Sequence, residues 1–362
     1  MKLGYFTMPF HPPEKALTES LKEDREAAIL ADHLGFYEAF FGEHVTDPCE
    51  PVPSCLTFIA SIAYETKQMR LGSGTLNLPN GHPASMAAVV SMIDHMLEGR
   101  FVLGISFGTL ATDFEVFETL DRDRQAMFIE AIGHMLAIWD GEPPYDLKGE
   151  FWNISTSRTM DSSINLGKIG KPYQTPHPEI VCTALAPYSN GLIEAAKRGW
   201  HPVSSNFLQP KFVKSHWGKY LEGCTEANLT ADWRDWRVAR MIFVNNDHET
   251  AMKYGKSPEG PYGNCMKQIL YKLKAASKLA TVKESLDQLD KEITLDYCMD
   301  RLMIAGTVES VTEQILDFRE QTGAFGTLLY VGVDWQEPSL ARRSMELMAE
   351  EVMPAVNLAL SR

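Results

Sequence analysis

Eight times along the chain, a short apolar stretch of strand character is followed by an amphipathic helical stretch. This alternation constrains the fold more than any other feature. The strand-type segments are KLGYFT (2–7), YEAFF (37–41), MRLGSGTLNL (69–78), RFVLGIS (100–106), EIVCTAL (179–185), HPVSS (201–205), WRVARMIFV (236–244) and GTLLYVGV (326–333). They are β-branched or aromatic and apolar on both faces, as strands covered by helices must be. Helical periodicity occupies 15–35 (closed by Gly35), 55–66, 83–97 (closed by Gly99), 122–139, NGLIEAAKRG at 190–199, 209–222, a segment capped by Thr307 and ended by Gly323, and 337–358. Eight β-then-α units predict an α/β fold of the (β/α)8 TIM-barrel type, with a doubly wound open sheet as the alternative. No linker divides the 362 residues, so a single barrel domain over 1–362 is expected. Two stretches exceed an ordinary connection. Residues 141–177, rich in Gly, Pro and Ser, predict a hairpin-bearing insertion, and residues 246–300 carry helical patterns such as MKQILYKLKAASKLA.

Charge and cysteine usage narrow the function. The formal charge of −14, with no block of lysines or arginines, argues against nucleic acid and anionic membranes as partners. The six cysteines show no C-x-x-C pairing, which predicts reduced thiols and no zinc site. No apolar run reaches membrane-spanning length and MKLGYFTMPF is no signal peptide, so a cytoplasmic protein is expected.

Gly104-Ile105-Ser106-Phe107-Gly108 matches G-x-S-x-G, the nucleophile elbow of esterases and lipases. An elbow serine enters a helix directly, whereas here clear helical periodicity resumes only near residue 122. A triad also needs a downstream acid and then histidine. His134, His177, His201, His216 and His248 are available, but even the last leaves over a hundred residues after it. The match therefore reads as coincidence. In a barrel, ligands sit at the C-terminal ends of strands, where a hydroxyl between two glycines lets a flat heteroaromatic ring approach the backbone. Strand two exits into Gly42-Glu43-His44-Val45, which puts a histidine at the mouth, and strand three exits through Gly72-Ser73-Gly74-Thr75-Leu76-Asn77. Strand five passes Thr183 and leads to Tyr188-Ser189-Asn190. These residues are either a plain helix cap or a phosphate site at a helix N-terminus.

The segments MKLGYFTMPFHPP, FFGEH, LNLPNGHPASMAAVVSMIDHMLEGRFVLGISFGTLATDF and LMIAGTVESVTEQILDFREQTGAFGTLLYV resemble the bacterial-luciferase-like flavin-dependent monooxygenases, most of all the diketocamphane and limonene monooxygenase branch. The likeness extends over essentially the whole chain. It implies a (β/α)8 barrel, usually homodimeric, that takes reduced FMN (FMNH2) from a separate NAD(P)H:flavin reductase. Oxygen adds to that flavin as a C4a-(hydro)peroxide, which oxidises a small hydrophobic ketone, terpenoid or aldehyde. By position, the resemblance makes His44 the active-site base or hydrogen-bond donor. It places a cis peptide at Gly74-Thr75 beneath the flavin and sets Ser106 where luciferase has a cysteine. Asn77 and Thr183 join the cofactor-binding set. Phe107 replaces a phosphate-binding arginine, so the phosphate falls to Tyr188, Ser189 and Asn190, with Arg124 as a further candidate. Met8 and Phe107 are expected to line the substrate pocket, and the 255–298 segment to act as a lid. Other readings are a barrel using the deazaflavin F420 and a non-catalytic flavin-binding protein.

Overall fold

The computed structural model of the protein describes residues 1–361. Eight parallel strands close into a barrel: β1 (Lys2–Thr7), β2 (Glu38–Phe41), β3 (Arg70–Ser73), β4 (Phe101–Ser106), β5 (Glu179–Ala184), β6 (His201–Ser204), β7 (Arg237–Val244) and β8 (Thr327–Val331). Closure is complete because β6 pairs with β7, β7 with β8, and β8 with β1. All eight strands lie within or against the segments the sequence marks for them, β3 ending short of residue 78, and an open sheet is excluded. A short parallel strand that the sequence did not announce, Met303–Gly306, extends the distal half of β7.

The principal helices alternate with the strands: α1 (Leu17–His33), α2 (Cys55–Ile62), α3 (Pro83–Met96), α4 (Ala111–Val116), α5 (Arg124–Asp140), α6 (Gly191–Lys197) and α7 (Pro210–Glu226). After β7 the long insertion contributes α8 (His248–Gly255), α9 (Pro261–Ala275) and α10 (Leu295–Leu302). The chain then forms α11 (Val308–Thr322), capped by the Thr307 side chain, and α12 (Pro338–Leu347). The closing helix is not continuous to 358 as its periodicity suggests. A π-helical turn, Met348–Val352, precedes Met353–Leu360, because Pro354 offers no N–H and its ring crowds the preceding turn. The 141–177 insertion carries the expected hairpin, Asp146–Leu147 against Ile154–Ser155. All six cysteines are free thiols. Among the described residues no helix is long and apolar enough to cross a membrane.

Strand alternation sends one set of side chains outward and the other into the barrel. Outward residues such as Phe41, Leu71, Phe101, Leu103 and Leu328 join the main core under the helices. Inward residues form layers. At the N-terminal end, Arg237 reaches across to Glu38 with two bonds, Nε at 2.7 Å and Nη2 at 3.0 Å, and Glu179 accepts from Arg237 at 2.9 Å. Glu38 is 0% exposed, and Arg70 also reaches it at 3.5 Å. Above this plug lie Phe40, Val102, Val181, Val203, Ala239 and Leu329. Phe40 needs Gly72 beside it, since a Cβ there would come within 2.5 Å of the ring.

At the C-terminal rim the loops after β1 and β8 are clasped to α1. His11 lies between Asp334 (Nδ1, 2.8 Å) and Asp24 (Nε2, 3.1 Å), while Lys15 Nζ is 2.6 Å from both Glu23 and Asp334. His11, Glu23 and Asp334 place three ligand-type atoms within 4.8 Å of one another, a grouping the sequence did not suggest. Lys15 occupies the position of the cation such a cluster would need. Burial alone would lower the His11 pKa, but hydrogen bonds to Asp24 and Asp334 outweigh it and raise the value to about 9.

Two expectations follow from these buried charges. Arg237→Ala leaves the buried Glu38 carboxylate with only the 3.5 Å contact of Arg70 and should cost about 3 kcal/mol, read as a lower denaturation midpoint. A double change, Glu38→Leu with Arg237→Met, should recover most of the loss. An unchanged midpoint in the single variant would refute the role given to the plug. For His11 the raised folded-state pKa makes its contribution full below about pH 6.5 and lost as pH rises through about 9. The wild-type melting temperature should therefore fall across that window more steeply than that of His11→Gln.

Candidate active site at the barrel mouth

β3 does not run unbroken to residue 78. It ends at Ser73, the Gly74–Thr75 peptide is cis, and Leu76–Asn77 resumes as two residues of strand beside Ile105–Ser106 of β4. Thr75 and Asn77 are thereby both brought against Ser106. The Thr75 hydroxyl donates to Ser106 Oγ at 2.7 Å, and Ser106 donates to Asn77 Oδ1 at 2.7 Å. The Gly108 N–H donates to Ser106 Oγ at 3.1 Å. Asn77 is fixed in turn by Glu43: its side-chain amide donates to the Glu43 carbonyl at 3.5 Å and its backbone N–H to the carboxylate at 3.0 Å. The Glu43 carboxylate also accepts the Cys55 N–H at 3.0 Å, and burial pushes its pKa up.

No histidine is among the partners of Ser106, and β4 reaches α4 only after a four-residue loop. This arrangement is not a nucleophile elbow. The G-x-S-x-G match therefore belongs to a ledge of small polar groups, of which Gly74, Thr75 and Ser106 remain partly exposed at the mouth. Met8 adjoins the ledge: its sulfur lies 2.1 Å from where a Cβ at Gly42 would be, and that same point is 3.1 Å from the Gly74 carbonyl. Thr183, two residues beyond the inward-facing Val181, shares its side of β5.

His44, just past the end of β2, is held from both sides. Its Nδ1 is 2.8 Å from Asp113 and its Nε2 is 3.3 Å from Glu50, with only 10% of the side chain exposed. Asp113 lies on α4, a helix whose six residues are too few to display a period in the sequence. It also accepts the Thr46 N–H at 2.9 Å and the Thr46 hydroxyl at 2.6 Å. Glu50 and Asp47 both pair with Lys272 of α9, Glu50 at 2.9 Å. Burial lowers the His44 pKa, yet the Asp113 hydrogen bond and the Glu50 charge prevail over it and over Lys272, leaving a net rise from 6.5. Burial likewise raises the Asp113 carboxyl, but bonds from His44 and Thr46 bring it below its usual value. The imidazole thus lies between two carboxyl groups, Asp113 at Nδ1 and Glu50 at Nε2. Asp113, Glu50 and Lys272 were all missed from the sequence. The only available hint was an acid in the first turn after Leu110.

The remaining residues separate into two groups. Arg124, at the start of α5, is buried. Its guanidinium donates to the Phe107 carbonyl from Nε (3.0 Å) and Nη2 (2.6 Å), and to Asn80 (3.0 Å) and Thr119. Burial depresses its pKa to about 10, with the Asp113 charge opposing. A guanidinium so engaged braces the loop after β4 instead of facing an anion in the mouth. Phe107 is 48% exposed and packs edge-on to Phe128. Tyr188, Ser189 and Asn190 stand at the entry to α6. Asn190 makes no side-chain cap there, and the Tyr188 N–H donates to Ser215 at 3.1 Å. A cavity of about 280 Å³ adjoins the site on its flank, where His44, Asn77 and Asp113 meet residues of α2 and α3 such as Leu56 and Met86.

The long insertion crosses the mouth. Tyr262 donates to the Ile242 carbonyl on β7 at 2.8 Å, Lys272 pairs beyond β2, and the Val282 carbonyl accepts from Gln209 at 3.2 Å beyond β6. Its apolar residues, among them Tyr262, Met266, Leu270 and Met299, form one cluster with the inward-facing barrel residues.

The sequence profile of the luciferase-like monooxygenases matches residues 1–324. The 3,6-diketocamphane 1,6-monooxygenase of Pseudomonas putida is 27% identical over 385 aligned positions, covering 99% of both chains. The limonene 1,2-monooxygenase of Rhodococcus erythropolis is 25% identical, covering 98% of this chain and 86% of its own. Among solved structures, the oxygenating constituent of 3,6-diketocamphane monooxygenase from the CAM plasmid of Pseudomonas putida, a type II Baeyer-Villiger monooxygenase in complex with FMN, superposes with a TM-score of 0.88. It is 25% identical, and 98% of each chain is covered.

Asp113→Asn removes the charge that favours the His44 cation while keeping an oxygen near Nδ1. The His44 ring resonances, followed by NMR across pH, should titrate at lower pH in that variant than in wild type. An unmoved titration would show that Asp113 does not set the proton on His44.

Proposed function

This chain belongs to the luciferase-like monooxygenase family, and we propose that it is the oxygenating component of a two-component system. In this reading it receives reduced FMN from a separate NAD(P)H:flavin reductase and uses O2 to oxygenate a small hydrophobic ketone, terpenoid or aldehyde. The observation that carries the reading is the polar ledge beside a doubly held histidine, at the C-terminal rim of a barrel so like that of an FMN-binding oxygenase.

The residues present fit such a group. A flat ring needs a shelf without bulky side chains, and Gly42 and Gly74 supply one beside Met8. A heteroaromatic ring also needs polar partners. Among the described residues Thr75 Oγ accepts from no group, and the buried Ser205 Oγ, just past β6, has no partner. Gly74, Thr75, Ser106 and Thr183 are assigned to the ring system and Asn77 to support of Ser106. The phosphate is assigned to Tyr188, Ser189 and Asn190 ahead of α6; Ser215 engages the Tyr188 N–H, so the donors offered are the Ser189 and Asn190 N–H groups. Met8 and Phe107 are assigned to the apolar substrate.

When bound, reduced FMN supplies the electrons and the activation of O2. The protein's own part is orientation, exclusion of water and control of one proton. Insertion residues packed on the barrel interior keep solvent from the β6–β7 side of the mouth. His44, its Nδ1 anchored on Asp113, acts as a proton donor through Nε2, which exchanges its longer contact with Glu50 for the reacting oxygen. A donor held protonated by neighbouring carboxylates gives a rate that falls as pH rises through its raised pKa.

The test is reconstitution with FMN, NADH and a flavin reductase on a panel of cyclic ketones, terpenes and aldehydes. Isotope-labelled O2 should place one oxygen atom in the product. His44→Ala should lower kcat by about 10²-fold or more. Full activity in that variant, or product formed without O2, would overturn the reading.

A further inference from the structure

The hydrogen-bond chain at the ledge has a fixed direction, and that direction has a consequence for the ligand it faces. Ser106 Oγ carries one proton and two lone pairs. The lone pairs receive the Gly108 N–H at 3.1 Å and the Thr75 hydroxyl at 2.7 Å. Its proton goes to Asn77 Oδ1 at 2.7 Å. Reversing the chain would require Ser106 to donate to Thr75, which would leave two oxygens, Ser106 Oγ and Asn77 Oδ1, 2.7 Å apart with no proton between them. Turning the Asn77 amide over does not help, because Oδ1 would then face the Glu43 carbonyl, 3.5 Å from the present Nδ2. The Glu43 carbonyl thus orients Asn77, Asn77 orients Ser106, and Ser106 takes the proton of Thr75. What the Thr75 hydroxyl presents to the mouth is lone pairs alone.

We propose that Thr75 selects the reduced over the oxidised flavin, because its hydroxyl accepts hydrogen bonds and offers none. The inference rests on the flavin reading above. Two-electron reduction of the isoalloxazine adds a proton at N5, so that an atom with a lone pair becomes an N–H donor. An acceptor-only oxygen beside it satisfies the reduced ring and opposes the lone pair of the oxidised one. A component that must capture a reduced flavin made elsewhere gains from this difference. Oxidised FMN, which the same reductase also handles, is held less tightly and does not block the site. Thr75 is in this sense a specificity-determining residue, while Ser106, Asn77 and the Glu43 carbonyl are positioning groups that act through it.

The experiment compares dissociation constants for oxidised FMN and for dithionite-reduced FMN under argon, in wild type, Thr75→Val, Thr75→Ser and Ser106→Ala. Wild type should bind reduced FMN more tightly than oxidised FMN. Thr75→Val should lose about tenfold of that ratio, the scale of one neutral hydrogen bond, seen equally as a fall of about 30 mV in the midpoint potential of the bound flavin. Ser106→Ala should shift the ratio in the same direction, since the Thr75 hydroxyl is then free to donate to the oxidised ring. Thr75→Ser keeps the acceptor and should retain the wild-type ratio. If flavin binds to all four proteins with one unchanged ratio, the selection is refuted while the flavin reading stands. If neither redox form binds to wild type, the flavin reading itself fails and the selection falls with it.

Discussion

A closed parallel barrel must fill its own interior, and here the filling is graded from charged to apolar to polar along the axis. The bidentate pair of Arg237 with Glu38 closes the N-terminal end, where both groups are removed from water and neither tolerates loss of the other. Phe40 fills the next layer over Gly72. The layer above has no large inward side chain on the β2–β4 sector, only Gly42, Gly74 and Ser106. The site exists because the barrel is packed from below and left small at the top. A flat ligand can meet backbone and hydroxyl groups there without displacing core.

The strands were legible because burial on both faces leaves near-continuous apolar runs that few other elements produce. His44 was legible for a related reason, since a polar residue one step past an apolar strand lies at the rim of any such barrel. The break at Gly74–Thr75 was not visible in the apolar pattern, which continues through LNL; its position was available only from the family likeness. The partners of His44 were hidden more deeply. Asp113 comes from a six-residue helix and Lys272 from an insertion over two hundred residues away, and neither spacing nor composition marks either one. Arg124 stands apart. An arginine at a helix start reads as an anion ligand, but three acceptors inside the fold already engage it.

The ledge and the histidine are not separate devices. Glu43 and His44 are adjacent in sequence, and each governs one half of the site. The Glu43 carbonyl sets the direction of the hydroxyl chain through Asn77, while its buried carboxylate ties that chain to the start of α2 at Cys55. His44 turns to the other side, toward α4. Two consecutive residues past β2 thus fix both which hydrogen-bond partner the ledge offers and where a proton is stored.

The insertion takes part in this electrostatic arrangement through Lys272. Lys272 lies on the far side of Glu50 from His44, so the one carboxylate is shared between a lysine of the insertion and the imidazole of the rim. With α9 seated, Lys272 draws on the Glu50 charge and weakens its hold on the His44 proton. Asp113 stays outside this exchange: it is anchored by Thr46 and belongs to the barrel side alone. One ring nitrogen is fixed and the other is adjustable, which is what a group must have to hold its orientation while giving up a proton.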